Sequence, residues 1–178
     1  VLEKSGIWID NKMSRFACDF NRNMARAIYK DNSEKWIKEI WKEELTERER
    51  KQLTESHKEF YFTLAKLVDA YRFNIIFDAH SMKHRPGRPQ ISFGTKFVPT
   101  FYMPIVKAMQ RKMSKLGYSP VSLNVPYKGG FILQWLSTKF PDIFIFSMEV
   151  NKRLYMAKNN MKFFEKKMEK ISSDIPKI

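Results

Sequence analysis

Ile143-Phe-Ile-Phe-Ser-Met-Glu-Val150 is the stretch from which the fold is read. Its apolar side chains are nearly continuous, and most are β-branched or aromatic, which predicts a strand covered on both faces. Upstream, Asn74 to Phe77 is a shorter run of the same kind. It ends in polar Asp78 and His80, as a buried strand does when it emerges into a loop. Between the two runs, Arg85 to Pro89 reads as a turn-rich loop. Thr100 to Leu116 reads as a helix, stopped by Gly117 in the position where a left-handed residue ends helices. Val121 to Asn124 is strand-like, and Tyr127 to Gly130 is a glycine turn. Toward the N-terminus, Thr46 and Glu49 have capping-box spacing and predict a helix start. Leu53, His57, Phe60, Leu64, Leu67 and Tyr71 then form one stripe at alternating steps of four and three. Ser14 to Phe20 alternates and is expected to be a short strand. Strands alternating with helices mean an α/β fold, with a largely parallel or mixed sheet flanked by helices. In such sheets ligands bind beyond the carboxyl ends of the strands. Asp78-Ala-His80, Asn124 to Gly130, and Glu149 stand at such ends.

At 178 residues the chain suits a single domain with one core. No apolar run approaches the ~20 residues that a membrane-spanning helix needs, so a membrane is not expected as a partner. A single cysteine, Cys18, cannot form an internal disulfide, which points to a reducing, cytoplasmic setting. The formal charge is +14, from 33 Lys and Arg against 19 Asp and Glu. Between Lys30 and Lys66 basic residues alternate with eight glutamates from Glu34 to Glu59, as on a solvated helix face. The excess collects from Lys83 to Arg88, from Lys107 to Lys115, and in a basic C-terminal helix or tail over residues 157–178. Nucleic acid would answer such a field by counterion release. Small anionic substrates answer it as well, and the interleaved acids favour them.

Several side chains are equipped for chemistry. A carboxylate placed like Asp78 anchors the second nitrogen of a metal-binding imidazole such as His80, and the plain alternative is a satisfied polar histidine. His84, among Lys83, Arg85 and Arg88, is a poorer candidate, and His57 on the apolar stripe reads as a core histidine. Glu149 closes an apolar strand, where partial desolvation raises a carboxylate toward the range of a general base. Arg22 has the fork that grips a carboxylate, with Asn21 beside it and Arg15 nearby; the alternative is an ion pair with Asp19.

Four segments occur in series: Ser14-Arg-Phe-Ala-Cys-Asp-Phe-Asn-Arg22, Asp78-Ala-His-Ser-Met82, Asn124-Val-Pro-Tyr-Lys-Gly-Gly130 and Glu149-Val-Asn-Lys-Arg-Leu-Tyr-Met156. Together they resemble the N-formylglutamate amidohydrolase family, over Ser14 to about Met156. The resemblance implies a phosphorylase/hydrolase-like fold related to the zinc carboxypeptidases and aspartoacylases. It implies zinc or another divalent metal, and hydrolysis of N-formyl-L-glutamate to L-glutamate and formate, a reaction of histidine degradation. Carried over residue by residue, His80 would be a metal ligand with Asp78 behind it, and Glu149 the general base. Arg15 would polarise the scissile carbonyl, and Asn21 and Arg22 would hold a substrate carboxylate. Asn124, Tyr127, Lys128 and Gly129 would line the pocket. The resemblance also implies a chain that is N-terminally incomplete relative to the family. The family's other metal ligands come from a Pro-His-Ser-Gly-like segment with no counterpart here. Gln90-Ile-Ser-Phe-Gly94-Thr95 lacks the acids of the family's Asp-Ile-x-x-Gly-Asp pattern. The alternative readings are a non-catalytic family member that binds an acidic ligand or partner, and a basic nucleic-acid-binding domain.

Overall fold

The computed structural model describes residues 6–29, 40–157 and 162–178. Its contacts fall into two compact units. The smaller comprises Asp10–Phe73 with Gly130–Ile132, and the larger is built chiefly from residues 74–129 and 133–178.

The larger unit holds a four-stranded sheet of order β1-β4-β2-β3. Its strands are β1 (Ile75–Met82), β2 (Ile91–Gly94), β3 (Val121–Leu123) and β4 (Phe144–Asn151). β4 runs parallel to β1 and antiparallel to β2, and β2 runs parallel to β3, so the sheet is mixed. The nearly continuous apolar run over residues 143–150 is explained by that central place: every residue of β4 is buried. One face of the sheet is apolar. There Phe77 and Phe144 stack on Phe146 at 5.8 and 4.9 Å, and Phe93 lies tilted against Phe146 at 6.0 Å. This face is covered by Val106, Met109 and Met113 of a helix over Met103–Lys115 and by Ile171 of another over Glu165–Asp174. The first of these starts from a 3-10 turn at Thr100–Tyr102 and stops before Gly117, at φ +94°, as expected. Near the C-terminus, buried Asp174 accepts hydrogen bonds from Tyr118, Lys170 and Lys177 at 2.9, 2.5 and 2.8 Å. Burial alone would raise its carboxyl. The three donors more than offset this and hold it at about 2.

The smaller unit is organised by the long helix Glu47–Tyr71, which starts at Thr46 with both halves of the capping box made. Its buried side chains are His57, Tyr61, Leu64 and Val68. Tyr61 and Val68 thus replace Phe60 and Leu67 of the expected stripe, and Tyr71 is exposed. Tyr61 earns its place by donating from its hydroxyl to the carbonyl of Phe20 at 2.6 Å. Cys18, Phe20 and Ala27 form a second small core, joined by Leu53 and Phe60. Burial, then the charge of Asp19, push the Cys18 thiol up to about 11.

Three expectations are corrected. Ser14–Phe20 is a chain of turns, not a strand: the carbonyl of Ser14 accepts from the N–H groups of Ala17 and Cys18. β1 does not end before Asp78 but runs through His80 to Met82, because parallel pairing with β4 continues to Asn151. Ile91–Gly94 and Phe131–Lys139 form a strand and a helix where neither was expected. Among the described residues, no helix is long and apolar enough to cross a membrane.

Candidate active site

The face of the sheet opposite the stacked phenylalanines is polar toward its end. In β1, Asp78 and His80 are two apart and so lie on the same side. His80 Nε2 donates to Asp78 Oδ2 at 2.6 Å, and both side chains are largely covered. Register places Ser147 beside Asp78 and Glu149 beside His80. Glu149 is buried, 8% exposed, within an otherwise apolar strand. Across the antiparallel side, Ser92 pairs with Glu149, and Gly94 pairs with Ser147. Three strands therefore contribute Asp78, His80, Ser147, Glu149 and Ser92 to one patch. Sequence reasoning anticipated the two acids and the histidine, and missed both serines.

Beyond β2 and β3 the chain is locked by Asn124, which has φ +60°, a left-handed conformation that asparagine tolerates. Its side-chain oxygen accepts from the N–H of Thr95 at 2.8 Å, and its amide donates to Thr95 Oγ1 at 2.8 Å. The N–H of Lys96 donates to the carbonyl of Lys128 at 2.9 Å. A Cβ on Gly94 would collide with Ser147 Oγ and with the backbone of Lys128 and Gly129. Hence Gly94 lets the 124–130 loop lie directly on the sheet. Tyr127 and Lys128 are exposed on that loop, and the guanidinium of Arg88 lies over the Tyr127 ring at 5.4 Å. His84 accepts from Arg153 NH1 at 3.0 Å on the exposed surface.

The smaller unit gathers the expected carboxylate-binding residues around buried Asp19. Arg15 NH2 and Arg22 Nε both donate to Asp19 Oδ2, at 2.7 and 3.3 Å, and Asn21 N donates to Oδ1 at 3.1 Å. Arg22 also lies over the ring of Tyr29 at 4.9 Å, and its carbonyl accepts from His57 Nε2 at 2.9 Å. One buried carboxylate thus orders two guanidinium groups. His57 is the core histidine it was read as, and it fixes the backbone of Arg22. The side-chain oxygen of Asn21 accepts from Ile132 N at 3.1 Å, and a Cβ on Gly130 would strike that amide.

A catalytic zinc takes three protein ligands within about 2.0–2.2 Å. Among the described residues, no group of three or more His, Cys, Asp or Glu side chains could hold a metal ion. Asp78, His80 and Glu149 do not by themselves fit zinc.

A structure of N-formylglutamate amidohydrolase from Ralstonia eutropha is similar at TM-score 0.60 and 15% identity, covering 83% of this chain and 58% of that one. A gene product of Agrobacterium tumefaciens is similar at TM-score 0.55 and 19% identity, covering 90% of this chain and 69% of that one. Identities this low show a shared fold. The chain spans less than two thirds of the length of the first of these structures. No curated protein matches. The family model of N-formylglutamate amidohydrolase matches residues 2–156. With that match extending over most of its length, the chain belongs to the N-formylglutamate amidohydrolase family.

Proposed function

We propose that this chain hydrolyses the amide bond of an N-acyl acidic amino acid, N-formyl-L-glutamate first among them, giving L-glutamate and formate. The observation that carries the reading is the pairing of His80 with Glu149 on adjacent strands, with Asp78 bonded to the histidine. In open α/β sheets ligands bind beyond the carboxyl ends of the strands, the end toward which this polar patch lies.

In this reading Glu149 takes a proton from the attacking water. The water oxygen bonds to the formyl carbon, and Arg15 stabilises the oxyanion that forms. The carbon–nitrogen bond then breaks, and the proton held by Glu149 passes to the departing amine. Arg22, its guanidinium oriented by Asp19 and Tyr29, grips a substrate carboxylate with Asn21. Tyr127, Lys128 and Gly129 line the pocket, and Asn124 sets the loop that carries them. The metal that family resemblance implies finds one candidate ligand here, His80 with Asp78 behind it, so no step is routed through it. The chain's +14 charge suits a dianionic substrate better than it suits nucleic acid, whose affinity would need a continuous basic track. We place the reaction in the cytoplasm, where a lone cysteine stays reduced.

Formate release from N-formyl-L-glutamate tests the reading, with N-formyl-L-leucine as the neutral control. Release from the acidic substrate alone is expected. Saturable binding of N-formyl-L-glutamate without formate release would mark a ligand-binding member of the family instead.

A further inference from the structure

Ser92 lies in the middle of β2 with none of its surface exposed, and among the described residues its hydroxyl has no hydrogen-bond partner. A buried hydroxyl left unbonded is costly, and such groups call for a functional or structural reason.

The surroundings of Ser92 narrow that reason. β2 has strands on both sides, so the facing backbone groups are committed to the sheet. Its partner on β3, Ser122, gives its own proton to the carbonyl of Val125. Diagonally, the amide of Asn151 donates to Pro89 and its oxygen accepts from the N–H of Arg153. The other diagonal neighbour, Ser147, offers a neutral hydroxyl. Directly opposite stands Glu149, buried like Ser92. Opposed residues of antiparallel strands hold their Cβ atoms about 4.5–5.5 Å apart, within reach of a serine hydroxyl and a glutamate carboxylate. An ionised carboxylate has about four acceptor sites, and a bond from Ser92 would add to the interactions Glu149 already makes. It is also the strongest acceptor on the row.

We propose that Ser92 is a positioning residue: its hydroxyl donates to the carboxylate of Glu149 and holds it in the orientation from which it takes the proton of the attacking water. The inference rests on the reading of Glu149 as general base. Side-chain rotation closes the contact. Ser92 itself is sealed from solvent and acts only through Glu149.

The test reads Glu149 directly, without reference to turnover. The full chain is labelled with 13C at its glutamate carboxyl groups, and the Glu149 stretching band is assigned by its loss in Glu149→Gln. Ser92→Ala is expected to shift that band, and Ser92→Thr, which keeps the donor, to leave it at the wild-type position. If Ser92→Ala fails to fold, Ser92→Cys, a weak donor of similar size, should shift the band in the same direction. A band unmoved by loss of the hydroxyl, or moved equally by threonine, overturns the proposal. If the shift occurs but Glu149→Gln leaves formate release unchanged, the contact stands and the general-base reading is the one that fails.

Discussion

His80 and Glu149 occupy paired positions on neighbouring parallel strands, although two strands and two α-helices separate them in the chain. The pairing sets an imidazole, already held by Asp78, next to a buried carboxylate on one face of the sheet. The opposite face of the same strands carries the stacked phenylalanines of the core. The polar patch and the apolar core are therefore divided between two sides of one sheet.

The first prediction concerns Glu149→Gln. The amide keeps the size of the side chain, so folding and substrate affinity are expected to persist. Turnover should fall about 100-fold or more, the scale of positioned acid–base catalysis. Steady-state kinetics on N-formyl-L-glutamate, with binding measured separately, provides the check. Unchanged turnover would remove Glu149 from the mechanism.

Arg22→Lys keeps the charge but loses the planar fork and the Nε contact to Asp19. Lysine cannot copy a bidentate grip, so affinity for an acidic ligand should drop about tenfold, which corresponds to about 1.4 kcal/mol. Arg111→Lys, on the exposed surface of Met103–Lys115, should leave affinity unchanged. Calorimetry on both variants decides. Equal losses would indicate a diffuse field in place of a site.

For the metal, the 178-residue chain is expected to retain well under one zinc per molecule after dialysis, because its described donors do not converge in threes. Chelator treatment should leave the unfolding midpoint unchanged, since the core of the sheet is apolar. Elemental analysis and denaturant melts test both statements. A tightly held, stoichiometric zinc would mean that further ligands complete a site around His80.

Asp174 supplies a pH-dependent element of stability. Its folded carboxyl is held at about 2, below its ordinary value of 3.8. A lowered carboxylate contributes stability that is fully present above the unfolded value and is lost as pH falls through the folded one. The gap in urea midpoint between wild type and Asp174→Asn should therefore be constant above about pH 5 and shrink between about pH 4 and pH 2. A gap that does not narrow over that range would show that Tyr118, Lys170 and Lys177 do not hold the carboxylate.

Much of the fold was legible because its signals are local. The capping box at Thr46 and Glu49, the glycine stop at Gly117 and the eight-residue apolar run each carry their meaning in adjacent residues. The helix stripe was read one position off at Phe60/Tyr61 and Leu67/Val68. Both members of each pair have large hydrophobic side chains, and at the first pair Tyr61 is held by a distant acceptor, the carbonyl of Phe20. Ser14–Phe20 alternates like a strand, yet the Ser14 carbonyl and Asp19 carboxylate satisfy nearby N–H groups and curl it into turns. Short apolar stretches such as Ile91–Gly94 and Phe131–Lys139 do not declare helix or strand by periodicity. In the candidate site, the Asp78–His80 contact was legible from spacing. The place of Ser92 was not, because it depends on antiparallel register between strands remote in sequence.

Cys18 gives the smaller unit a clock of its own. It is the only thiol in the chain, fully buried, and held largely as the unreactive protonated form, with its pKa raised to about 11. A thiol-modifying reagent can reach it only when the segment around Phe20, Ala27 and Leu53 opens. Labelling rates across a denaturant series therefore report the free energy of that local opening, while the larger unit contributes no signal. Comparing those rates with the global melt would show whether the Asp19 cluster loosens before the sheet does.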